Sequence, residues 1–258
     1  MTQLVDRTIA ALRAEHDTLA ALVRDLTDEQ LAAASGASEW TVAQALSHLG
    51  SGAEIGRAPI ARAAGETIPA EENQTIWARW DASTPRTQAE GFLEHNTRWI
   101  ETAEALTPEQ RSTLLVDLGF LPQPVPMLTA LGMRLNEVAN HSWDVRVAYD
   151  QKAGIATESA TVLLELLSGP LGFLLGFLAK PAEVTGPASV ALPGAGLVIN
   201  DAVTVVDHPI ESPSATFNGP AEAFIRLTSG RLKAPYDSTV AVDGDLTLDD
   251  LRKVFPGF

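Results

Sequence analysis

Residues 136–144 read NEVANHSWD, and this segment decides how the chain is interpreted. Glu137 and His141 are four residues apart, so on a helix their side chains lie on one face and can reach the same ion. Apolar residues recur at helical spacing from Leu128 onward. The pair therefore borders the apolar stripe of a predicted helix, where a residue lining a helical bundle could bind a ligand.

A second histidine occupies a similar position on another predicted helix. Residues 40–49 read WTVAQALSHL, and Thr41 is suited to cap the helix that follows. Two imidazoles, from His48 and His141, and one carboxylate would leave a coordination position open, as a catalytic zinc site requires. Taken alone, a Glu-x-x-x-His pair is usually a solvated contact, and a single helical histidine usually borders a core. The spacing by itself leaves both interpretations open.

Two further amphipathic helices accompany these two. Apolar residues recur at helical spacing from Val5 to Leu26 and again from Phe92 to Leu106. Pro85 suits the first turn of the second of these helices. Four amphipathic helices joined by loops predict a four-helix bundle, which we assign to residues 1–150.

The sequence pattern changes after Asp150. The apolar stretch from Thr161 to Ala179 contains Glu165 and is interrupted by a Gly-Pro pair, which favours two buried helices over a membrane span. Short β-type runs and helical segments then follow without a regular alternation. Residues 151–258 are therefore predicted to form a smaller α+β domain. Its strands are predicted at 188–192, 197–200, 203–206 and 238–242, and its later helices at about 220–229 and 246–254.

Composition argues against several classes of function. The formal net charge of −15 disfavours nucleic acid or an anionic membrane as the main partner. The chain has no cysteine, so any sulfur chemistry must use a thiol from outside the protein. The N-terminal segment MTQLVDRTIAALRAEHD is charged and amphipathic, unlike a signal peptide, and we expect a cytoplasmic location. The sequence does not indicate an oligomeric state.

The segments 40–49 and 137–144 resemble the mycothiol-dependent maleylpyruvate isomerase family, which belongs to the DinB-like metal-binding bundles. Members of that family carry a Trp-Thr-Val…His-Leu helix early in the chain and a Glu-x-x-x-His-x-Trp-Asp helix later in the bundle. The resemblance implies that His48, Glu137 and His141 bind a divalent metal, usually described as zinc. All three ligand positions are intact in this sequence.

The second half is similar to the sterol-carrier-protein-like C-terminal domain of the same family. The likeness lies in residues 217–231, FNGPAEAFIRLTSGR, and 242–245, VDGD. The family uses an arginine from this domain, and the resemblance does not fix its position residue by residue. Arg231 is the first candidate and Arg226 the second. A surface arginine at a helix end is an equally good interpretation of Arg231, because arginine is favoured at helix C-termini.

Asp144 and the remaining histidines have simpler interpretations. Asp144 lies three residues after His141 on the same helix face, where it could orient that imidazole or be a solvated carboxylate. His16 is predicted at the edge of the core. His95 and His208 have no partner pattern and are predicted to be surface residues.

The resemblance implies an enzyme that uses a low-molecular-weight thiol on a small electrophile. In such an isomerase, mycothiol sulfur adds to the double bond of maleylpyruvate, and rotation followed by loss of the thiol gives fumarylpyruvate. The metal would hold the thiol as thiolate, and an S-transferase could use the same thiolate. Two alternatives stay open: a thiol-independent hydrolase that uses metal-bound water, and a non-enzymatic binding protein for an apolar ligand.

Overall fold

The structure, a computed structural model, describes residues 2–237 and 239–257. The chain divides into two compact units, Met1–Ala153 and Gly154–Phe258. The first unit is helical apart from a two-stranded ribbon, and the second contains a five-stranded sheet with short helices. The predicted fold class, a helical bundle with a smaller α+β domain, is confirmed.

Seven helices make up most of the described part of the first unit. They are α1 (Thr2–Asp25), α2 (Asp28–Leu31), α3 (Val42–Ala63), α4 (Asn73–Asp81), α5 (Pro85–Glu104), α6 (Pro108–Thr113) and α7 (Met127–Val147). The four long helices α1, α3, α5 and α7 are the predicted bundle. Helices α2, α4 and α6 were not predicted, because four, nine and six residues are too few to establish a helical period.

Local signals start the helices that position the site. Thr41 caps α3 as predicted: its hydroxyl accepts from the backbone of Gln44, whose side chain accepts in return from the Thr41 N–H. Thr84 caps α5, and Pro85 occupies the first helical turn. A short antiparallel ribbon of β1 (Leu115–Val116) and β2 (Val125–Pro126) leads into α7.

The second unit is built on a mixed sheet. Its strands are β3 (Ala188–Leu192), β4 (Ala195–Ile199), β5 (Val203–Val206), β6 (Ala215–Asn218) and β7 (Ala241–Gly244). They are ordered β5-β4-β3-β6-β7, with β3 and β6 parallel and the other pairs antiparallel. Strand β6 was not predicted from the sequence. The strand predicted at 238–242 is β7, which begins at Ala241; Ser238 lies outside the described residues.

The described part of the second unit also contains four α-helices: α8 (Thr157–Leu167), α9 (Leu175–Leu178), α10 (Ala221–Thr228) and α11 (Leu248–Val254). The apolar stretch breaks in two as predicted, but only α8 is largely buried, whereas Phe177 in α9 is 74% exposed. The expectation of two buried helices was therefore half wrong. None of the described helices is long and apolar enough by itself to span a membrane. One bent pair, Thr157–Leu167 with Gly172–Leu178, passes the same test of length and composition.

Candidate metal centre

Three side chains that the sequence analysis singled out lie together in the first unit. His48 comes from α3, and Glu137 and His141 come from α7. His48 Nε2 is 3.0 Å from Glu137 Oε2, and His141 Nε2 is 3.7 Å from the same oxygen. Each residue offers one ligand atom, and these atoms all lie within 4.8 Å of one another. Within the described residues no other group of histidine, aspartate or glutamate side chains converges in this way.

The geometry of this triad fits a zinc-type ion. Zinc bonds of about 2.0–2.2 Å at tetrahedral angles place neighbouring ligand atoms roughly 3.3–3.6 Å apart. The observed separations of 3.0 and 3.7 Å lie on either side of that range. Two imidazoles favour a borderline metal over Mg²⁺ or Ca²⁺, which prefer oxygen ligands. His48 and Glu137 have side chains 42% and 46% exposed, so a small molecule could approach the triad.

Asp144 fixes the orientation of one imidazole. Its Oδ2 lies 2.8 Å from His141 Nδ1, and its side chain is completely buried. Because a carboxylate only accepts, Nδ1 carries a proton in this hydrogen bond, and Nε2 is the ring nitrogen on the side of Glu137. Of the two interpretations offered for Asp144, the solvated carboxylate is wrong.

The indole of Trp40 packs on both imidazoles. Its ring centroid is 5.1 Å from that of His48 and 5.6 Å from that of His141, and the second pair is stacked with an interplanar angle of 23°. The two imidazole centroids are 4.6 Å apart. Trp40 lies in the segment 40–49, but no role was predicted for it from the sequence. The sequence signal that could have indicated its position is that Trp40 directly precedes Thr41, the residue that caps α3.

A buried cation lies one turn from Glu137 on α7. Arg134 is 8% exposed, and its Nη2 donates to the Leu49 carbonyl at 2.8 Å and to Asn96 Oδ1 at 2.6 Å. Burial lowers the pKa of Arg134 to about 10, opposed by the charge of Glu137, so it stays a cation near neutral pH. Burial also acts to raise the pKa of Glu137. The His48 hydrogen bond and the nearby histidine and Arg134 charges outweigh it, and that pKa lies below its ordinary value.

A chain of hydrogen bonds continues from Arg134 into the bundle core. Because the Asn96 oxygen accepts from Arg134, the Asn96 amide nitrogen donates to His16 Nδ1 at 2.8 Å. His16 Nε2 then donates to Thr97 Oγ1 at 3.0 Å, and that hydroxyl donates to the Leu93 carbonyl at 2.6 Å. His16 is 2% exposed, so it lies inside the core and not at its edge. Burial lowers the pKa of His16 to about 4, and the ring is neutral at pH 7.

The other two histidines differ from each other. His208 is exposed as predicted, beside Asp207. His95 is only 22% exposed, with its ring edge against Trp80 and its Nε2 3.8 Å from Glu54, so the prediction of a surface residue was wrong. It lines a cavity of about 480 Å³ together with Glu54. None of the three triad residues lines that cavity. We place the candidate site at the triad because three potential metal ligands converge there.

The two candidate arginines belong to the second unit. Arg226 is 4% exposed. Its Nε and Nη2 donate to Glu222 at 2.8 and 3.0 Å, and its Nη1 donates to the Tyr236 carbonyl at 2.9 Å. Arg231 is half-buried, and its Nη1 donates to the Ser229 carbonyl at 3.2 Å. Both guanidinium groups thus contact residues of their own unit.

A helical bundle with an exposed imidazole–carboxylate triad, followed by a small mixed-sheet unit, defines a class of candidate metalloenzymes. The model of the mycothiol maleylpyruvate isomerase N-terminal domain matches residues 12–146. This match covers more than half of the chain and includes all three triad residues, so the chain belongs to that family.

Two crystal structures share the fold over most of the molecule. One is of a mycothiol-dependent maleylpyruvate isomerase, with a TM-score of 0.61 and 16% identity over 94% of each chain. The other is of a histidine-to-alanine mutant of such an isomerase, with a TM-score of 0.60 and 15% identity over 94% of each chain. At these identities the likeness shows the fold alone. No curated protein matches the sequence.

Proposed function

We propose that the protein is a metal-dependent enzyme that uses mycothiol to isomerise maleylpyruvate or a related small electrophile. The observation that carries the proposal is the convergence of His48, Glu137 and His141 on one accessible point. Membership of the family supports it, because the solved relatives with this fold are described as mycothiol-dependent maleylpyruvate isomerases. Absence of cysteine supports a thiol supplied by a cosubstrate.

The triad is proposed to hold one divalent metal, and its two imidazoles make zinc the first candidate. When bound, such a metal lowers the pKa of a coordinating thiol so that thiolate is available near neutral pH. His48 and His141 would present their Nε2 atoms, and Glu137 would add a negative charge. Asp144 accepts from His141 Nδ1, so Nε2 is the nitrogen that His141 would offer to the metal.

The proposed reaction needs no oxidant and consumes no thiol. The thiolate adds to one alkene carbon, and the electron pair of the double bond moves onto the conjugated carbonyl as an enolate. Rotation about the new single bond follows. The pair then returns, the thiolate leaves, and the trans alkene is released. An S-transferase would share the first step and end with protonation of the adduct.

A cation from the second unit would stabilise the enolate and the carboxylates of the substrate. We assign this role to Arg231 in the first place and to Arg226 in the second. The contacts of Arg226 with Glu222 and the Tyr236 carbonyl already satisfy its guanidinium within its own unit. Arg231 is half-buried and therefore more exposed than Arg226, which is 4% exposed.

The test is a reaction of the zinc-loaded protein with mycothiol and maleylpyruvate, followed by NMR for fumarylpyruvate and by mass spectrometry for a thioether. His48→Ala should abolish turnover. His208→Ala, which removes an exposed histidine outside the triad, is the matched control and should leave turnover unchanged. A thioether product would make the protein an S-transferase. Turnover of a substrate without any thiol would replace the proposal with a hydrolase, and bound lipid without metal would replace it with a binding protein.

A further inference from the structure

We propose that Trp40 is a positioning residue of the metal centre: its indole holds the imidazoles of His48 and His141 in the orientation that binds the ion. This inference rests on the proposed function, because it requires a metal in the triad. It assigns to Trp40 a role in metal affinity and in the geometry of the centre, without contact between Trp40 and the reacting atoms.

The need for such a residue is clearest at His48. A metal-binding histidine usually donates its second ring nitrogen to a carboxylate or carbonyl, which fixes the plane of the ring. Asp144 does this for His141. For His48, the only side-chain hydrogen bond in the described part of the chain is the one to Glu137, itself a proposed ligand. Once both bind a metal, hydrogen bonding no longer sets the rotation of the His48 ring.

The indole supplies the missing constraint by packing. Trp40 lies 5.1 Å from His48 and 5.6 Å from His141, centroid to centroid, and the two imidazoles are 4.6 Å apart. Each ring of this cluster therefore contacts the other two, so neither imidazole can turn without losing aromatic contact. Coordination makes an imidazole more electron-poor, and this strengthens its attraction to the electron-rich indole face.

Backbone hydrogen bonds of the loop before α3 hold the indole of Trp40 in position. The N–H of Gly36 donates to the Asp144 carbonyl at 2.7 Å, which ties the loop to α7 one turn from His141. A side chain on Gly36 would collide with α7, because a Cβ there would lie 2.6 Å from Val147 Cγ1 and 3.1 Å from the Asp144 Cα. The Trp40 carbonyl accepts from both the N–H and the hydroxyl of Ser35, each at 2.9 Å.

One residue of the loop is strained. Glu39, directly before Trp40, has a φ of +71°, a left-handed conformation that is uncommon for a residue other than glycine. Strained backbone of this kind persists where the surrounding contacts over-determine it, and it occurs most often at functional sites. The loop thus holds Trp40 at a conformational cost that a merely space-filling surface residue would not require.

The experiment measures zinc affinity by competition with a chromophoric chelator, and the visible spectrum of the cobalt-substituted protein, for Trp40→Ala, Trp40→Leu and Trp40→Phe. We expect Trp40→Ala and Trp40→Leu to weaken zinc binding about 10-fold or more, the effect typical of residues that orient metal ligands. Trp40→Phe, which keeps an aromatic ring, should restore most of the affinity. The cobalt bands should shift in the alanine and leucine variants, because they report ligand geometry. Trp77→Leu removes a comparably exposed tryptophan of α4 and should leave affinity and spectrum unchanged.

The outcomes separate this inference from the proposed function. If His48→Ala binds zinc as tightly as the unsubstituted protein, the metal centre itself is wrong. If His48→Ala loses zinc while Trp40→Leu keeps full affinity and an unchanged cobalt spectrum, only the role of Trp40 is wrong. Should Trp40→Ala fail to fold by circular dichroism, the leucine and phenylalanine variants decide. An equal loss of affinity in Trp77→Leu would also overturn the inference, because the effect would then not be specific to the triad.

Discussion

Replacing His16 with glutamine should make the first unit less sensitive to acid. His16 has a pKa lowered to about 4 in the folded protein, chiefly because burial penalises the charged ring, whereas an unfolded histidine has a pKa of about 6.5. The unfolded chain therefore binds the proton more readily. The stability that depends on the neutral ring is fully present above about pH 6.5 and is lost as the pH falls toward 4. Between about pH 7.5 and pH 4.5 this one group removes about 2.5 kcal/mol from the free energy of unfolding.

Urea unfolding followed by tryptophan fluorescence reports the stability of the first structural unit, which contains His16. All five tryptophans lie in residues 1–153. His16→Gln has its own constant cost, because the bonds to Asn96 and Thr97 change, so the comparison is between pH-dependent losses and not between absolute stabilities. The variant should lose about 2.5 kcal/mol less than the unsubstituted protein over the same pH range. His208→Gln, at an exposed position, should behave like the unsubstituted protein. Parallel losses in His16→Gln and the unsubstituted protein would refute the assignment of a neutral, buried His16.

Three further predictions concern the site and the second unit. Asp144→Asn should weaken zinc binding about 10–100-fold, because the amide carries no charge to orient and polarise His141; chelator competition measures this, and unchanged affinity would contradict it. Arg231→Ala should lower turnover about 10²–10³-fold without changing metal content, whereas full turnover in steady-state assays would shift the role to Arg226. Arg226→Met should destabilise the second unit by about 3–5 kcal/mol, because the poorly solvated Glu222 loses its cationic partner and keeps the Ile155 N–H as a donor; urea unfolding followed by circular dichroism checks this, and a change below about 1 kcal/mol would show that the pair contributes little.

The bundle was predictable because the spacing of apolar residues repeats over several turns of each long helix. Helix α3 runs over Val42–Ala63 and α7 over Met127–Val147, and each offers several turns over which apolar residues recur at a helical period. Thr41 begins α3 where its capping chemistry predicted. In the second unit, the strands Ala188–Leu192 and Val203–Val206 were placed correctly because β-favouring residues are concentrated there between turn residues.

The short elements could not be placed from local sequence. Strand β6 has four residues, Ala215–Asn218, and only two of its side chains are buried. It becomes a strand because β3 and β7 pair with it on either side, one parallel and one antiparallel. Tertiary contacts of this kind override weak propensity. Helix α9 shows the opposite error: an apolar composition predicted burial, yet Phe177 is exposed.

In the candidate site, too, some features were predictable from local sequence and others depend on long-range contacts. Helical spacing alone put Glu137 and His141 on one face, but nothing local joins them to His48, which is 89 residues from Glu137. The family resemblance supplied that connection. The packing of Trp40 and the chain through His16 depend on side-chain contacts between residues distant in sequence. The pairing of Arg226 with Glu222 is different, because its i,i+4 spacing is a local signal that could have been used and was not.

Metal analysis of the purified protein tests the central claim most directly. The protein, purified without chelator and dialysed against zinc-free buffer, is compared with His48→Ala by elemental analysis. We expect about one divalent ion per chain in the unsubstituted protein, with water or another small ligand completing the coordination, and loss of most of that ion in the variant. Folded His48→Ala that retains stoichiometric metal, or unsubstituted protein that fails to bind zinc when zinc is added back, would contradict the assignment of the triad as a metal centre.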